Sequence, residues 1–288
     1  MNIKKEPTIR LQKIQPNRLK QKLYLFGVLA LLLILCSFFS DQLTPYDPYL
    51  QDLSLAKAPP SSEHLLGTDR YGRDMLSRVI AGSKTSIFST LLLVGFIATF
   101  GSLVGIICAR VGKTFDTVLM RTADMFLAFP GLVFALAVAA VLGGGVHNAI
   151  FALAAISWPK YARLARSQTL AIESAPFIQA AKMAGSGPIK LIRKHILPNI
   201  AGPILVTAML DIGTMMMELA GLSFLGLGAK PPAAEWGSMI SDTRGLLQTA
   251  PWLTFAPGLA IFVSVMIFNL LGDTVRDYLD PKMRGGHG

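Results

Sequence analysis

Asp211, Met215 and Glu218 are the residues whose type and spacing most directly suggest chemistry. Asp211 and Glu218 are the two charged residues in the stretch 196–229, within a chain of 288 residues of which only 15% are charged. On a helix the three fall at i, i+4 and i+7, so one face would present two carboxylates and a thioether, with Met216 and Met217 adding sulfur nearby. Charge inside an apolar span is expensive and marks function by default. At low dielectric such a stripe attracts a divalent cation or its chelate, and the terminal ammonium of a peptide could use it equally well. The same acids could instead form a polar seam against a neighbouring subunit. Two carboxylates and weak sulfurs guide a transition metal rather than trap it, whereas several imidazoles would bind firmly. No stable metal site is therefore expected, only transient contact at Asp211, Glu218 and His147, the last being the one histidine placed to meet an arriving metal.

Other chemistry is missing. Gly112-Lys113-Thr114 resembles the end of a phosphate-binding loop, but that pattern needs a glycine where Ile107 stands. There is no His-Glu-x-x-His, no nucleophile elbow and no dinucleotide fingerprint. The four histidines, at 64, 147, 195 and 287, have no helical metal-ligand spacing. Cys36 and Cys108 both lie in apolar runs, which excludes a disulfide framework. The sequence holds no catalytic residues, and an enzyme is not expected.

The elements that would position the acidic stripe follow from charge-free runs. Residues 23–40, 85–109, 125–159 and 245–272 hold no charged side chain, and a helix crosses the hydrocarbon core in roughly 20 residues. The 35-residue run 125–159 is too long for one span and contains Gly143-Gly144-Gly145, which predicts two spans joined by a tight turn. The expected fold is an all-α integral membrane protein with six transmembrane helices at about 23–40, 85–109, 123–142, 148–164, 198–225 and 252–271. Residues 1–22 form a basic tail, 23–40 a retained signal anchor, 41–84 an extracytoplasmic segment and 85–288 the core.

The net charge of +10 raises nucleic acid or an anionic membrane as partner, and the positions of the charges decide. With the N-terminus inside, 20 of the 27 Lys and Arg fall on inner segments. The positive-inside rule therefore places both termini in the cytoplasm, predicts contact with membrane lipid and excludes nucleic acid.

The inner loop 169–198 reads as a helix–turn–helix. Ser174 fits an N-cap with Pro176 in the first turn. Phe177, Ala180, Ala181 and Ala184 recur at helical spacing, Gly185 fits the position just past the helix end, and Pro188 opens a second short helix. There Ile189, Ile192 and Ile196 would share one face. Pro198 marks entry to the next span. This hairpin could rest on anionic lipid or dock a cytoplasmic partner against its small Ala residues.

Gln179-Ala180-Ala181, Gly185 and Leu197-Pro198 resemble the Glu-Ala-Ala…Gly…Leu-Pro loop of ATP-binding-cassette (ABC) importer permeases, with Gln179 where that pattern has Glu. The resemblance implies that Phe177, Gln179, Ala180, Ala181, Gly185, Leu197 and Pro198 couple the membrane helices to an ATPase. Residues 66–74, with Gly67, Asp69, Gly72, Arg73 and Asp74, resemble the Gly-Thr-Asp-x-x-Gly-Arg-Asp signature of C-type subunits in the peptide/nickel branch. There Thr68 can cap a helix in which Asp69 and Arg73 pair at i, i+4. The stretch 220–237, with Gly221, Gly226, Gly228 and Trp236, is similar to that branch's outer gate and loop. Asn269-Leu270-Leu271-Gly272-Asp273 through Asp280-Pro281 matches its C-terminus.

These likenesses imply a type I, MetI-like core in the last five spans and a place in a bacterial inner membrane. They also imply a second permease completing a heterodimer, two ATPase subunits carrying ATP and Mg, and an extracytoplasmic substrate-binding protein. No cofactor is expected on this chain. The segment 210–216 resembles the nickel-type subunits more than the dipeptide type, so a nickel or metal-chelate importer is expected, with a dipeptide or oligopeptide importer as the alternative. A self-contained secondary transporter is a further alternative, but it would usually show an inverted repeat of broken helices.

Overall fold

The computed structural model describes residues 16–279. The first part of the basic tail, residues 1–15, and the Asp280-Pro281 end of the C-terminal motif lie outside the described residues. Among the described residues the fold is all helical, with an isolated bridge between Thr68 and Asp74. The helices are α1 (Pro16–Phe38), α2 (Ser40–Leu43), α3 (Met75–Val111), α4 (Lys113–Ala128), α5 (Gly131–Val141), α6 (Val146–Glu173), α7 (Pro176–Met183), α8 (Pro188–Leu191), α9 (Leu197–Phe224), α10 (Trp236–Thr243) and α11 (Trp252–Leu279). A π-helical turn, Ile192–Ile196, joins α8 to α9.

Four stretches are long and apolar enough to cross a membrane: α1, α3, the run Pro188–Phe224 and α11. Helices α4 and α5 make a fifth if counted as one broken span, bent by 92°. The third expected span, continuous over 123–142, is thus divided. Pro130 has no N–H to donate and disfavours helical backbone before it, and Phe129 accordingly sits at φ −90°, ψ 146°. The fourth expected span, 148–164, lies within α6. That helix runs on without a break through Lys160, Arg163 and Arg166 to Glu173, and it is not among the four. The triple-glycine turn lies where the sequence put it, between α5 and α6, with Gly143, Gly144 and Gly145 all at positive φ.

Helices α3 and α9 form the frame, since both contribute to all three apolar clusters. One cluster joins them to α5 and α6, a second to α1, α10 and α11, and a third to α6, α7 and α8. The contact between α3 and α6 is the closest in the bundle. A Cβ on Gly101 would lie 2.4 Å from the Trp158 carbonyl oxygen, and one on Gly105 would lie 2.1 Å from that of Ala162. Gly101-x-x-x-Gly105 is the small-residue spacing that lets two membrane helices approach backbone to backbone. With 37 residues, α3 is about 55 Å long at 1.5 Å per residue. One of its ends meets the Gly-Thr-Asp segment and the other meets α7, so these two regions sit at opposite ends of the bundle.

Candidate functional site

The loop between α6 and α9 forms a platform. Helix α7 starts one residue later than Ser174 suggests: Ala175 occupies the N-cap without a side-chain bond, and Pro176 follows. Ser174 instead terminates α6. At its other end Gly185 adopts φ +75°. The Ser186 amide donates to the Ala181 carbonyl and the Gly185 amide to that of Lys182, each at 3.0 Å, which is the paired closure of a Schellman motif.

The buried face of α7 differs from the expected one. Ile178 is fully buried against Ile106, Ala165, Leu191, Ile196 and Ile200, whereas Phe177, Ala180 and Ala184 face outward. In the second helix Leu191 is buried, while Ile189 is 72% exposed. The π turn shifts the register between Ile189 and Ile196, so the expected Ile face does not form. The platform therefore presents Phe177, Ala180, Met183 and Ile189 outward. Gln179 donates to the Glu173 backbone carbonyl at 3.3 Å, and Leu197 and Pro198 open α9 at the exposed edge.

The acidic stripe is resolved into two unlike groups. Asp211 is buried and accepts hydrogen bonds from Lys160 Nζ at 2.6 Å and Tyr161 Oη at 2.8 Å. Met215 is also buried, with Sδ 3.9 Å from Ser157 Oγ. Both residues thus belong to the seam between α9 and α6. Glu218 is half-buried and has no hydrogen bond or ion pair among the described residues. The expected charge of −2 on this face is therefore corrected to a neutralised pair plus one carboxylate. Lys160, inside the fourth expected span, reaches Asp211 with its Nζ across the seam while half of its side chain stays exposed. A lone lysine ending one apolar run opposite a lone aspartate in another was the available signal. His147, at the start of α6, has no hydrogen bond or ion pair among the described residues, and these contain no group of three or more side chains suited to a metal ion.

At the far end the Gly-Thr-Asp segment is a folded loop rather than a helix. Thr68 does not cap: its hydroxyl accepts from the Ala58 amide and donates to the Leu55 carbonyl. The cap of α3 is Asp74, which accepts from the Ser77 amide at 2.7 Å and contacts His64 Nδ1 at 2.9 Å. The Asp69–Arg73 pair does form, at 2.6 Å, buried within the loop, and Arg78 adds a second guanidinium at 3.5 Å from the same carboxylate oxygen. Gly72 passes directly over Asp52, whose carbonyl oxygen would lie 1.7 Å from an added Cβ. Breaking a buried pair by removing one partner costs about 3–5 kcal/mol. Arg73→Gln is therefore expected to speed amide exchange across residues 68–74 markedly. Unchanged exchange there would remove the pair from the loop's stability.

Helix α10 closes this end. Glu235 caps it through Gly237 and Ser238, each at 2.9 Å, and Trp236 is buried, donating from Nε1 to the Val79 carbonyl of α3 at 2.8 Å. Gly226 turns the chain out of α9 at φ +87°. Gly228 packs against Ser223, but Gly221 has open space around it and contributes no close contact.

A family model described as "Binding-protein-dependent transport system inner membrane component" matches residues 101–285. The chain is 40% identical over 260 residues to the nickel transport system permease protein NikC of Escherichia coli (strain K12), covering 90% of this chain and 94% of that one. It is 42% identical over 259 residues to the probable D,D-dipeptide transport system permease protein DdpC of the same strain, covering 90% and 87%. The MetNI methionine ABC transporter, solved in an inward facing conformation, superposes with a TM-score of 0.57 at 19% identity, covering 72% of this chain and 98% of that chain. At that identity the likeness is one of fold.

Proposed function

The chain belongs to the family of inner-membrane components of binding-protein-dependent transport systems, and from the Lys160–Asp211 pair within that frame we propose that it forms half of the path by which an importer moves short peptides. It is a multi-pass membrane permease subunit of an ABC importer, and ATP hydrolysis lies on separate subunits. Its identity to the nickel and the D,D-dipeptide relatives is nearly equal, at 40% and 42%, so similarity does not choose the cargo.

The observation that carries the peptide reading is the Lys160–Asp211 pair. A bare divalent cation would meet an ammonium at the face expected to attract it, and the carboxylate nearest that ammonium is already neutralised. A peptide brings both a carboxylate and an ammonium, which the exposed half of Lys160 and the free carboxylate of Glu218 can meet in turn. The coupling platform and the positive-inside pattern support a cytoplasmic position for both termini and for α7. In this reading two ATPase subunits dock on Phe177, Gln179, Ala180 and Met183. A second permease completes the path, and a binding protein delivers cargo at the end formed by Gly67–Asp74 and α10.

The test is uptake by proteoliposomes holding the whole importer, with a radiolabelled dipeptide and nickel chloride as separate probes. ATP-dependent dipeptide uptake is expected, reduced at least tenfold by Lys160→Met. Nickel uptake without dipeptide uptake would overturn the peptide reading.

A further inference from the structure

We infer that Glu173 is the positioning residue that makes α3 follow α7, so that motion at the docking platform reaches the opposite end of the bundle. This rests on the importer reading. A single carboxylate oxygen, Oε1, holds Arg110 Nη1 of α3 at 2.9 Å and Lys182 Nζ of α7 at 3.3 Å. The Glu173 backbone carbonyl receives the Gln179 amide at 3.3 Å. One residue thus ties α6, α7 and α3 together at the rim of the apolar cluster around Ile178.

Its location is informative. An acidic residue in the last turn of a helix opposes the helix dipole, so Glu173 is unfavourable for α6 taken alone. Two cations offset that cost, and both come from other elements. Arg110 has no other ion-pair partner among the described residues, and its Nε is buried without an acceptor.

Helix α7 is joined to the bundle covalently at both ends, through Ser174 and Ala175 to α6 and through α8 and the π turn to α9. The Glu173 carboxylate adds a polar tie at the inner end of α3, whose far end seats Trp236 through the Ser86 hydroxyl and the Val79 carbonyl. Without the carboxylate, α6 and α9 would still move with α7, but the inner end of α3 would lose its polar tie to the α6–α7 corner and follow only through its packing on α6.

The test uses the reconstituted importer, with cargo molecules taken up per ATP hydrolysed as the readout and the dipeptide or nickel chloride, whichever wild type transports, as the probe. Glu173→Gln is expected to assemble with the ATPase subunits and lower that ratio at least tenfold. Arg110→Glu and Lys182→Glu combined with Glu173→Arg, which reverses both ion pairs of the cluster, is expected to recover at least half of it. A wild-type ratio in Glu173→Gln would overturn the inference, as would an assembled reversed cluster with a low ratio. If Glu173→Gln fails to assemble, the reversed cluster decides: recovery of assembly and ratio supports the link, and failure of either overturns it. Absence of ATP-dependent uptake by wild type would instead overturn the functional reading on which the link rests.

Discussion

Gly105→Leu is expected to lower the yield of folded, detergent-extracted protein at least tenfold, while Gly95→Leu on the same helix leaves it unchanged. The two glycines cost α3 the same helix propensity, so the difference isolates packing. A Cβ at position 105 would stand 2.1 Å from the Ala162 carbonyl oxygen and 2.9 Å from the Arg166 amide nitrogen, whereas one at position 95 meets nothing within 4 Å. Ordinary overpacking costs about 1–3 kcal/mol because side chains rotate away. Backbone atoms have no such freedom, so α6 would have to leave α3 along its length. That separation opens the clusters around Leu153 and Ile178 together, against a total stability of about 5–15 kcal/mol. Equal yields of the two variants on size-exclusion chromatography would refute the role given to this contact.

Features that depend on one local rule were legible in the sequence. The triple-glycine turn and Gly185 just past the end of α7 were each read from a few adjacent residues, whereas the Asp69–Arg73 pair forms in a loop and not on the helix from which its spacing was read. Features set by two elements meeting were not. Periodicity identified an apolar face on α7 containing Phe177, Ala180 and Ala184, but the core takes Ile178, because α3, α6 and α9 approach from that side. Thr68 was the expected cap, but Asp74 takes that place because the loop folds back to pair Thr68 with the chain near Ala58. The neutralisation of Asp211 needed the distance between α6 and α9, which spacing along the chain does not encode. The membership of a transport family was legible from motifs, whereas the net charge of the α9 face around Asp211 was not.

Gly185→Pro is expected to abolish uptake while the chain still inserts into the membrane. Gly185 sits at φ +75°, and proline is confined near −65°. Proline would also delete the amide that donates to Lys182 at 3.0 Å, so both halves of the Schellman closure fail at once and α8 can no longer fold back beside α7. Leu191 would be drawn away from Ile178, opening the cluster that fixes the platform to α3, α6 and α9. Insertion depends instead on the long apolar helices, none of which includes this turn, so membrane-fraction yield should stay within twofold of wild type. Two further substitutions grade the effect. Gly185→Ala keeps the amide but pays about 1–2 kcal/mol for left-handed backbone, and should retain partial uptake. Gly187→Ala, at φ −62° with open space around it, should transport normally. Uptake by Gly185→Pro at the wild-type rate would mean that α7 and α8 need not be held together for the ATPase subunits to drive the path, and the platform would lose its coupling role.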